Sequence, residues 1–589
     1  MFDLSSLLSA SRDVSDVPVL DEKSFRVGAY RDGSVLKFRG LVRDVQDPEL
    51  VQLGGETRPP PTNASGLIER VPLIVTLFPH ATDWAQRAYW DRSTPSDGHS
   101  SPSDGRCSES DGPATPTGTK RSSAAVDEQM GSGCEPQTDD LSAKKSKAVV
   151  HKREQADELQ EERLLQSQAV HVYVYDGQYK DVPLEAFKVN EAFEFVGVLD
   201  LTVPGTDLNS DAAIDAASVE QLKELAISDC LAKVQRNDQC SVVLHCCHVS
   251  SLTSVHYVRP RESKDFYAHI QQSNDSRVEF CGHEWARRGQ QMDVVAMRTQ
   301  LVDFLAQTVG GDTLAAEYLL LSLLSHVYAR ADPSTPLGNL SLNLSLDKAM
   351  TDEQKRGLVA RLQETLALLM PMVARVDLSL EALNSSLFQP HKDYDREMLV
   401  SGVLQLAHGT TMLVDETTLT PGQLNDRGVK NVAALQSLIE KMLLPYDFHY
   451  YSMDFPQDVT VVTVSEGSTI LPVTVAVPVS CTNSTNTADD RPSALPAEQL
   501  LECFRLFLSV LRSFAVTIRN EEAEMAEKHY VECRKSQQKV VLEDLHRWLR
   551  LARLMALSRG EGNVSKDSWD AMMMLETERL ARRAMDKSD

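Results

Sequence analysis

The stretch TMLVDET, Thr411–Thr417, decides how the rest of the chain is read. A short apolar run leads into Asp415 and Glu416, the pattern by which many ATPases end a buried strand with an aspartate for magnesium and a glutamate for water. Such a pair serves nucleotide chemistry only beside a glycine-rich loop after the first strand of the same sheet. There, backbone N–H groups cradle the phosphates and a lysine reaches the terminal ones. In this chain that place follows NLSLNLSL (Asn339–Leu346) and reads DKAMTDEQK, with no glycine from Ser341 through Arg356. Lys348 alone does not replace a nest of N–H groups, and Asp347 and Asp352 would repel a triphosphate. Asp415 and Glu416 are therefore read as a vestigial Walker-B-like pair or a structural cap. No cofactor is expected, and the chain is not expected to be an enzyme. Residual ATP hydrolysis through Asp415 and Glu416 is the alternative, and it would need a phosphate site elsewhere.

Outward from this stretch, apolar strands alternate with helices. NLSLNLSL precedes a helix near Thr351–Leu369, ARVDLSLEAL (Ala374–Leu383) precedes a helical stretch near Asp395–Leu406, and Val429–Leu443 is helical. The aromatic segment YDFHYYSMDF then leads to VTVVTVSEG, Val459–Gly467. Uninterrupted apolar strands separated by helices predict a parallel sheet covered on both faces. Upstream, Gly310–Arg330 reads as a helix capped by Asp312, its leucines wrapping most of the circumference, so it is expected to be buried on more than one side. Downstream, Cys481–Ser493 is a polar linker and the remainder is amphipathic helix, with Ser565 placed to cap the last one.

The first third differs. Ser34–Val45, Val71–Phe78, Ala169–Tyr175, Phe193–Leu201 and Ser241–Val249 have strand character, and several short strands interrupted by a long insert are able to close one small barrel of the OB type. Between them, from about Asp91 to Val149, composition collapses into Ser, Pro, Gly, Asp and Thr, too poor in large apolar residues to offset the entropy of ordering. Lys152–Leu165 reads as a charged helix. The basic clusters Lys120-Arg121, Lys144-Lys145 with Lys147, and Lys152-Arg153 suit nuclear-import recognition. The expected division is 1–90 β-rich, 91–166 disordered insert, 167–290 second part of the β-rich domain, 291–480 βα core, 481–495 linker and 496–589 helical domain.

Composition narrows the function. A formal net charge of −25 argues against bulk binding to nucleic acid or anionic lipid, because phosphate affinity comes largely from Lys and Arg displacing counterions. A barrel that binds single-stranded DNA through Phe38, Arg39 and Arg43 is the alternative set against that charge. No window approaches the roughly 18 uncharged apolar residues of a membrane span, so a soluble, non-secreted protein is expected. The ten cysteines lack a CxxC pair, which suggests neither a disulfide framework nor a zinc ribbon. His245-Cys246-Cys247-His248 lies on a strand, whose alternation sends its members to opposite faces and prevents one tetrahedral site. No metal is expected. GxSxG and GxGxxG patterns are missing, and His283-Glu284 is followed by Trp-Ala-Arg rather than completing HExxH. FQPHKDYD is expected to turn ahead of a helix, and Asp447, His449, Tyr450, Tyr451 and Asp454 to be strand packing rather than a cleft.

GGDTLAAEYLLLSLLSHVYAR and FQPHKDYDREMLVSGVLQLAHGTTMLVDETTLTPGQLNDRGVKNVAALQSLIEKMLLPYDFHYYSMDFP resemble the minichromosome maintenance complex-binding protein family, as do VLKFRGLVRDVQDPEL, KVNEAFEFVGVLDL and DLHRWLRLARLMALSRGEGNVSKDSW. The likeness spares the insert and about 205–290. It implies a non-catalytic nuclear factor that binds subunits of the replicative minichromosome maintenance helicase. Such a factor would chaperone or assemble these subunits, promote their unloading from chromatin late in replication and take part in sister-chromatid cohesion. Chromatin association would then be indirect, with no membrane and no strong direct nucleic-acid binding. The implied fold is α/β plus a small β domain: N-terminal OB-like barrel strands, a degenerate AAA+-like parallel βα core without a Walker A loop, and a C-terminal helical lid.

Overall fold

The computed structural model describes residues 17–20, 30–31, 33–52, 67–90, 169–175, 186–200, 242–252, 273–394, 398–480, 495–536 and 540–586. The basic clusters at Lys120, Arg121, Lys144, Lys145, Lys147, Lys152 and Arg153, the insert, the helix expected over Lys152–Leu165 and most of the 481–495 linker lie outside the described residues.

Strands β1 (Val35–Val45), β2 (Glu49–Gln52) and β3 (Leu67–Thr76) are followed by helix α1 (Asp83–Trp90), then by β4 (Ala169–Tyr175), β5 (Ala192–Asp200) and β6 (Val243–Ser251). Hydrogen bonds run β1–β5–β6–β4–β3 and return from β3 to β1, closing a five-stranded barrel with β2 added at the β3 edge. Numbered in chain order, the ring reads 1-2-3-5-4, and its one parallel contact is β4 with β6. Strand β1 pairs on both sides because its register shifts between Val42 and Asp44, and such a bulge bends a strand and lets a barrel close. Alternation turns Leu36, Phe38, Leu73, Val75, Val172, Val174, Phe195 and Leu244 inward, all fully or almost fully buried. A second irregularity falls between Val196 and Gly197 where β5 meets β6. A Cβ at Gly197 would lie 2.4 Å from the His245 carbonyl oxygen, so only glycine fits this closure.

Beyond the barrel come α2 (Asn274–Arg287), α3 (Val294–Thr308) and α4 (Thr313–Leu324), the hairpin β7 (Ala329–Asp332) and β8 (Thr335–Leu337), then β9 (Leu342–Leu346), α5 (Asp352–Leu369), β10 (Val373–Asp377) and α6 (Leu380–Ser385). Next are β11 (His391–Asp393), β12 (Met398–Val400), β13 (Thr411–Asp415), α7 (Asp426–Lys441), β14 (Leu443–Asp447), β15 (Ser452–Pro456), β16 (Thr460–Glu466) and β17 (Val475–Pro478). The chain ends in α8 (Glu498–Arg512), α9 (Asn520–Lys535), α10 (Leu542–Ser558) and α11 (Lys566–Asp586). The expected parallel sheet is present, ordered β10-β13-β16-β9-β17 with every pairing parallel. In chain order its strands stand 2-3-4-1-5.

Both faces of that sheet are covered. On one, Leu342, Leu344, Val462 and Val464 share a core with α3, α4, α5, α8, α10 and α11; on the other, Val376, Met412, Val414 and Val461 pack with Leu383 of α6 and Leu435 and Leu438 of α7. Asp312 accepts from the Ala315 amide and starts α4, whose Leu314, Leu319, Leu320, Leu321, Leu323 and Leu324 are all buried. Helix α2 packs into this same core, with Trp285 stacked on Phe507.

Several local expectations are corrected. The helix expected through Arg330 stops at Leu324: the Ser325 hydroxyl donates to the Ser322 carbonyl and accepts from the Leu340 amide, and Ala329–Asp332 becomes strand. ARVDLSLEAL is strand only to Asp377, because Ser379 accepts from the Ala382 amide and opens α6. The turn expected in FQPHKDYD is strand β11, and in place of a helix over Asp395–Leu406 stands β12. There the Asp44 carboxylate of the barrel accepts from the Leu399 amide, and Gly402 lies so close that a Cβ would meet the Phe388 carbonyl at 2.5 Å. Long-range contacts override local helix propensity here.

Replacing Gly197 with Ala should destabilise the barrel by about 1–3 kcal/mol, the usual cost of forcing extra atoms into a packed site. Thermal unfolding should report this as a lower midpoint with earlier proteolytic cleavage in the barrel strands.

Candidate functional site

In open parallel sheets, ligands sit beyond the carboxyl ends of the strands, and here that edge gathers Leu346, Asp415 and Glu466. Asp415 ends β13 between Asp377 and Val464 of the neighbouring strands, and is completely buried. A carboxylate out of solvent needs partners for both oxygens. Oδ1 accepts from the Thr417 amide at 3.0 Å and the Thr417 hydroxyl at 2.6 Å. Oδ2 accepts from Arg375 Nη2 at 3.1 Å. The same guanidinium reaches Asp377 at 2.7 Å and Gln363 at 3.0 Å, so it is held as a fixed counter-ion.

Glu416 is also engaged. Its amide donates to the Val464 carbonyl, and its carboxylate accepts from the Thr469 hydroxyl at 2.6 Å and the Ile470 amide at 3.4 Å. Burial pushes its pKa above the ordinary glutamate range, against the lowering effect of those two bonds. The structure thus brings Asp415 and Glu416 together at the expected strand end, each with protein donors on its carboxylate.

The loop between β9 and α5 is closed on itself in the same way. Asp347 accepts from the Ala349 amide at 2.9 Å. Thr351 and Gln354 form a capping box, in which the Thr351 hydroxyl accepts from the Gln354 amide and the Gln354 side chain accepts from the Thr351 amide. Of the amides that would face a phosphate in a P-loop, those of Ala349, Thr351 and Gln354 are bonded to the loop's own side chains. Lys355, on the first turn of α5, is buried and pairs with Glu466 at 2.7 Å and Asp352 at 3.7 Å. Its pKa is raised chiefly by the Glu466 bond. Arg375, Lys355 and Thr469 lie within no motif, and Thr417, although it closes the TMLVDET stretch, carries no role in the Walker-B pattern. The one available signal was a basic residue on the ARVDLSLEAL strand, which the structure places beside β13.

Other candidates are placed elsewhere. Phe38 lies in the barrel core, Arg39 pairs with Glu194, and Arg43 is buried with Nη1 donating to the Gln405 carbonyl at 2.7 Å. Phe38 and Arg43 are turned into the protein, and Arg43 braces the barrel against the βα core. Burial lowers its pKa to about 10. His245 has Nδ1 2.7 Å from the Tyr175 hydroxyl and Nε2 3.3 Å from Asp200, while Cys246 is buried and Cys247 donates to the Val196 carbonyl. The aromatic segment forms the β14–β15 hairpin, but its tip is not core packing: Tyr450 is 82% exposed and Tyr451 55%. They sit beyond the register that carries Tyr446 inward.

The family model described as mini-chromosome maintenance replisome factor matches residues 51–583 of this chain. Among curated proteins, the chain is similar to the mini-chromosome maintenance complex-binding proteins of Danio rerio, Salmo salar and Arabidopsis thaliana. Identity to the first is 37% over 302 residues, 50% of this chain and 46% of the relative. To the second it is 32% over 427 residues, 71% and 63%, and to the third 30% over 426 residues, 70% and 62%. The chain spans about half to just under two thirds of the length of these relatives.

Because Glu416 has its folded pKa raised, the fold favours its protonated form and loses stability as pH climbs from the unfolded value through the folded one. Glu416→Gln should therefore melt no lower than the unmodified chain at pH 7. Any advantage should shrink as the pH falls below the ordinary glutamate range, as followed by thermal melts across pH 4–8.

Proposed function

Since the chain belongs to the mini-chromosome maintenance replisome factor family, we propose that it is a non-catalytic partner of the minichromosome maintenance complex. The observation that carries this reading beyond family membership is the self-bonded sheet end. Asp415 and Glu416 spend their oxygens on Arg375, Thr417, Thr469 and Ile470, and the loop after β9 spends its amides on Asp347 and Thr351. A surface organised this way has no ready cradle for triphosphate and is suited to holding shape.

The reading extends to a degenerate AAA+-like subunit mimic. It is supported by the 2-3-4-1-5 parallel sheet, the Asp-Glu pair at the end of its third strand and C-terminal helices that share a core with the sheet. An OB-type assignment of the barrel is supported by five strands closed in the order 1-2-3-5-4. A body of this shape that lacks nucleotide chemistry would occupy a neighbour's interface on a helicase subunit, and so act in chaperoning, assembly and unloading late in replication, with cohesion as a downstream effect. Nuclear residence through the Lys120–Arg153 clusters completes the proposal.

Tagged chain, purified from nuclear extract, should retain minichromosome maintenance subunits identified by mass spectrometry. Retention should be the same for Asp415→Asn and Glu416→Gln and independent of added ATP. Failure to retain those subunits, or dependence on ATP that either substitution abolishes, would contradict the proposal.

A further inference from the structure

Strand β15 ends the sheet ordered β12-β11-β14-β15, so β14 takes one of its edges and no strand of that sheet takes the other. The register fixes which backbone groups the free edge carries. The Phe448 amide donates to the Tyr451 carbonyl at 2.9 Å, whereas the Asp447 amide turns the other way and donates to the Pro390 carbonyl, also at 2.9 Å. Bonded and non-bonded pairs alternate along an antiparallel ladder. Tyr446–Met453 and Leu444–Phe455 are therefore the mutually bonded pairs, and Asp447–Ser452 and Pro445–Asp454 are not. Pro445, which has no amide to give, stands where that alternation needs none. The amides and carbonyls of Ser452 and Asp454 thus face away from β14, toward the free edge.

Side chains along this edge meet solvent. Ser452, Met453 and Asp454 are exposed, and Tyr451 and Tyr450 carry the exposed surface on to the hairpin tip. Ring contacts of Tyr450 with Tyr394 and of Tyr451 with Phe448 hold the tip in place. Tyr446 and Phe455, 4.4 Å apart between ring centroids, root the hairpin in the core. Lys430 of α7 is bonded to Asp447 at 3.1 Å, but Asp454 has no ion pair among the described residues. Open edges are normally guarded by proline or charge, and here the guards are selective. Pro456 closes only the end of β15, and Asp454 bars anionic strands. A second copy pairing antiparallel over so short a strand would bring two Asp454 carboxylates within reach of each other and join two chains of net charge −25.

We propose that the free edge of β15 takes up, by antiparallel strand addition, an extended basic segment of a protein partner. The backbone of Ser452 and Asp454 supplies the main-chain hydrogen bonds, and alternation divides the incoming side chains between two faces. A lysine or arginine opposite Asp454 forms a cross-strand ion pair, and a second cation two residues along reaches the tyrosines at the tip. Apolar residues between them fall on the face of Met453. A nucleic-acid strand could stack on the tyrosines, but its phosphates would meet the Asp454 carboxylate. The inference stands apart from the reading of the chain as a partner of the minichromosome maintenance complex, which subunit retention tests separately.

The test is fluorescence anisotropy with the full chain and a labelled, end-capped peptide of alternating lysine and valine. Saturable binding is expected. Ser452→Pro, which removes an outward amide and no bond to β14, and Asp454→Lys, which reverses the charge, should each weaken it roughly tenfold or more. Tyr450→Ser should weaken it roughly threefold, and Lys566→Gln should leave it unchanged. The same peptide N-methylated at its lysine amides should also bind roughly tenfold more weakly, which reads the edge hydrogen bonds without altering the chain. Asp454→Lys should melt with the unmodified chain, because the side chain it replaces is exposed and unpaired. The proposal is overturned if the peptide does not bind, if the methylated peptide or the Asp454→Lys chain binds as tightly, or if a glutamate-valine peptide or an oligothymidylate strand binds in its place.

Discussion

The ion pair between Arg375 and Asp415 sets the character of the parallel sheet. Asp415 has no solvent-exposed surface, so its charge must be answered inside the protein, and Arg375 answers it while bracing Asp377 and Gln363. Removing one member of such a pair strands the other, at a cost of roughly 3–5 kcal/mol for a fully buried case and less where one partner, as here, is about a third exposed. The rest of the sheet end follows the same economy. Thr417 holds the other oxygen of Asp415, Thr469 holds Glu416, and Lys355 is bound to Glu466. Charges that an ATPase would keep for metal and phosphate are neutralised by neighbours along the same edge.

The carboxylates of Asp415, Glu416 and Asp347 along this edge each accept from protein donors. The barrel is fixed to the βα core by buried polar contacts, including Arg43 to the Gln405 carbonyl, Asp44 from the Leu399 amide and Asn190 to the Tyr446 hydroxyl. Buried polar bonds of this kind fix relative geometry because breaking one leaves an unsatisfied group. For the binding role proposed above, such fixed geometry would reduce the ordering entropy that opposes association.

Much of the fold was legible in the sequence, for identifiable reasons. The strands at TMLVDE and VTVVTVSE are largely apolar runs buried on both faces, NLSLNLSL alternates leucine with Asn and Ser and is almost wholly buried, and the helices at Asp352 and Asp426 start at capping residues. The missing glycine loop was equally plain, and the structure finds that loop capped by Thr351 and Gln354. What escaped was decided at long range. Residues 398–406 have helical composition, but the Leu399 amide donates to Asp44, some 350 positions away, and the Val403 and Leu404 amides donate to the Leu387 and Phe388 carbonyls. Arg43 and Phe38 look like a basic and aromatic groove until barrel closure buries them, and Tyr450 and Tyr451 look like core until the hairpin carries them past its edge. For the same reason the partners of Asp415 could not be read from its neighbours, since Arg375 is 40 residues away.

At the sheet end the Asp415 and Glu416 carboxylates and the Ala349, Thr351 and Gln354 amides are already committed to protein groups. Calorimetric titration of magnesium-ATP into the purified, contaminant-free chain addresses this most directly. The expected result is no saturable heat into the millimolar range. Saturable micromolar binding that disappears in Asp415→Asn would show instead that these groups remain free for nucleotide.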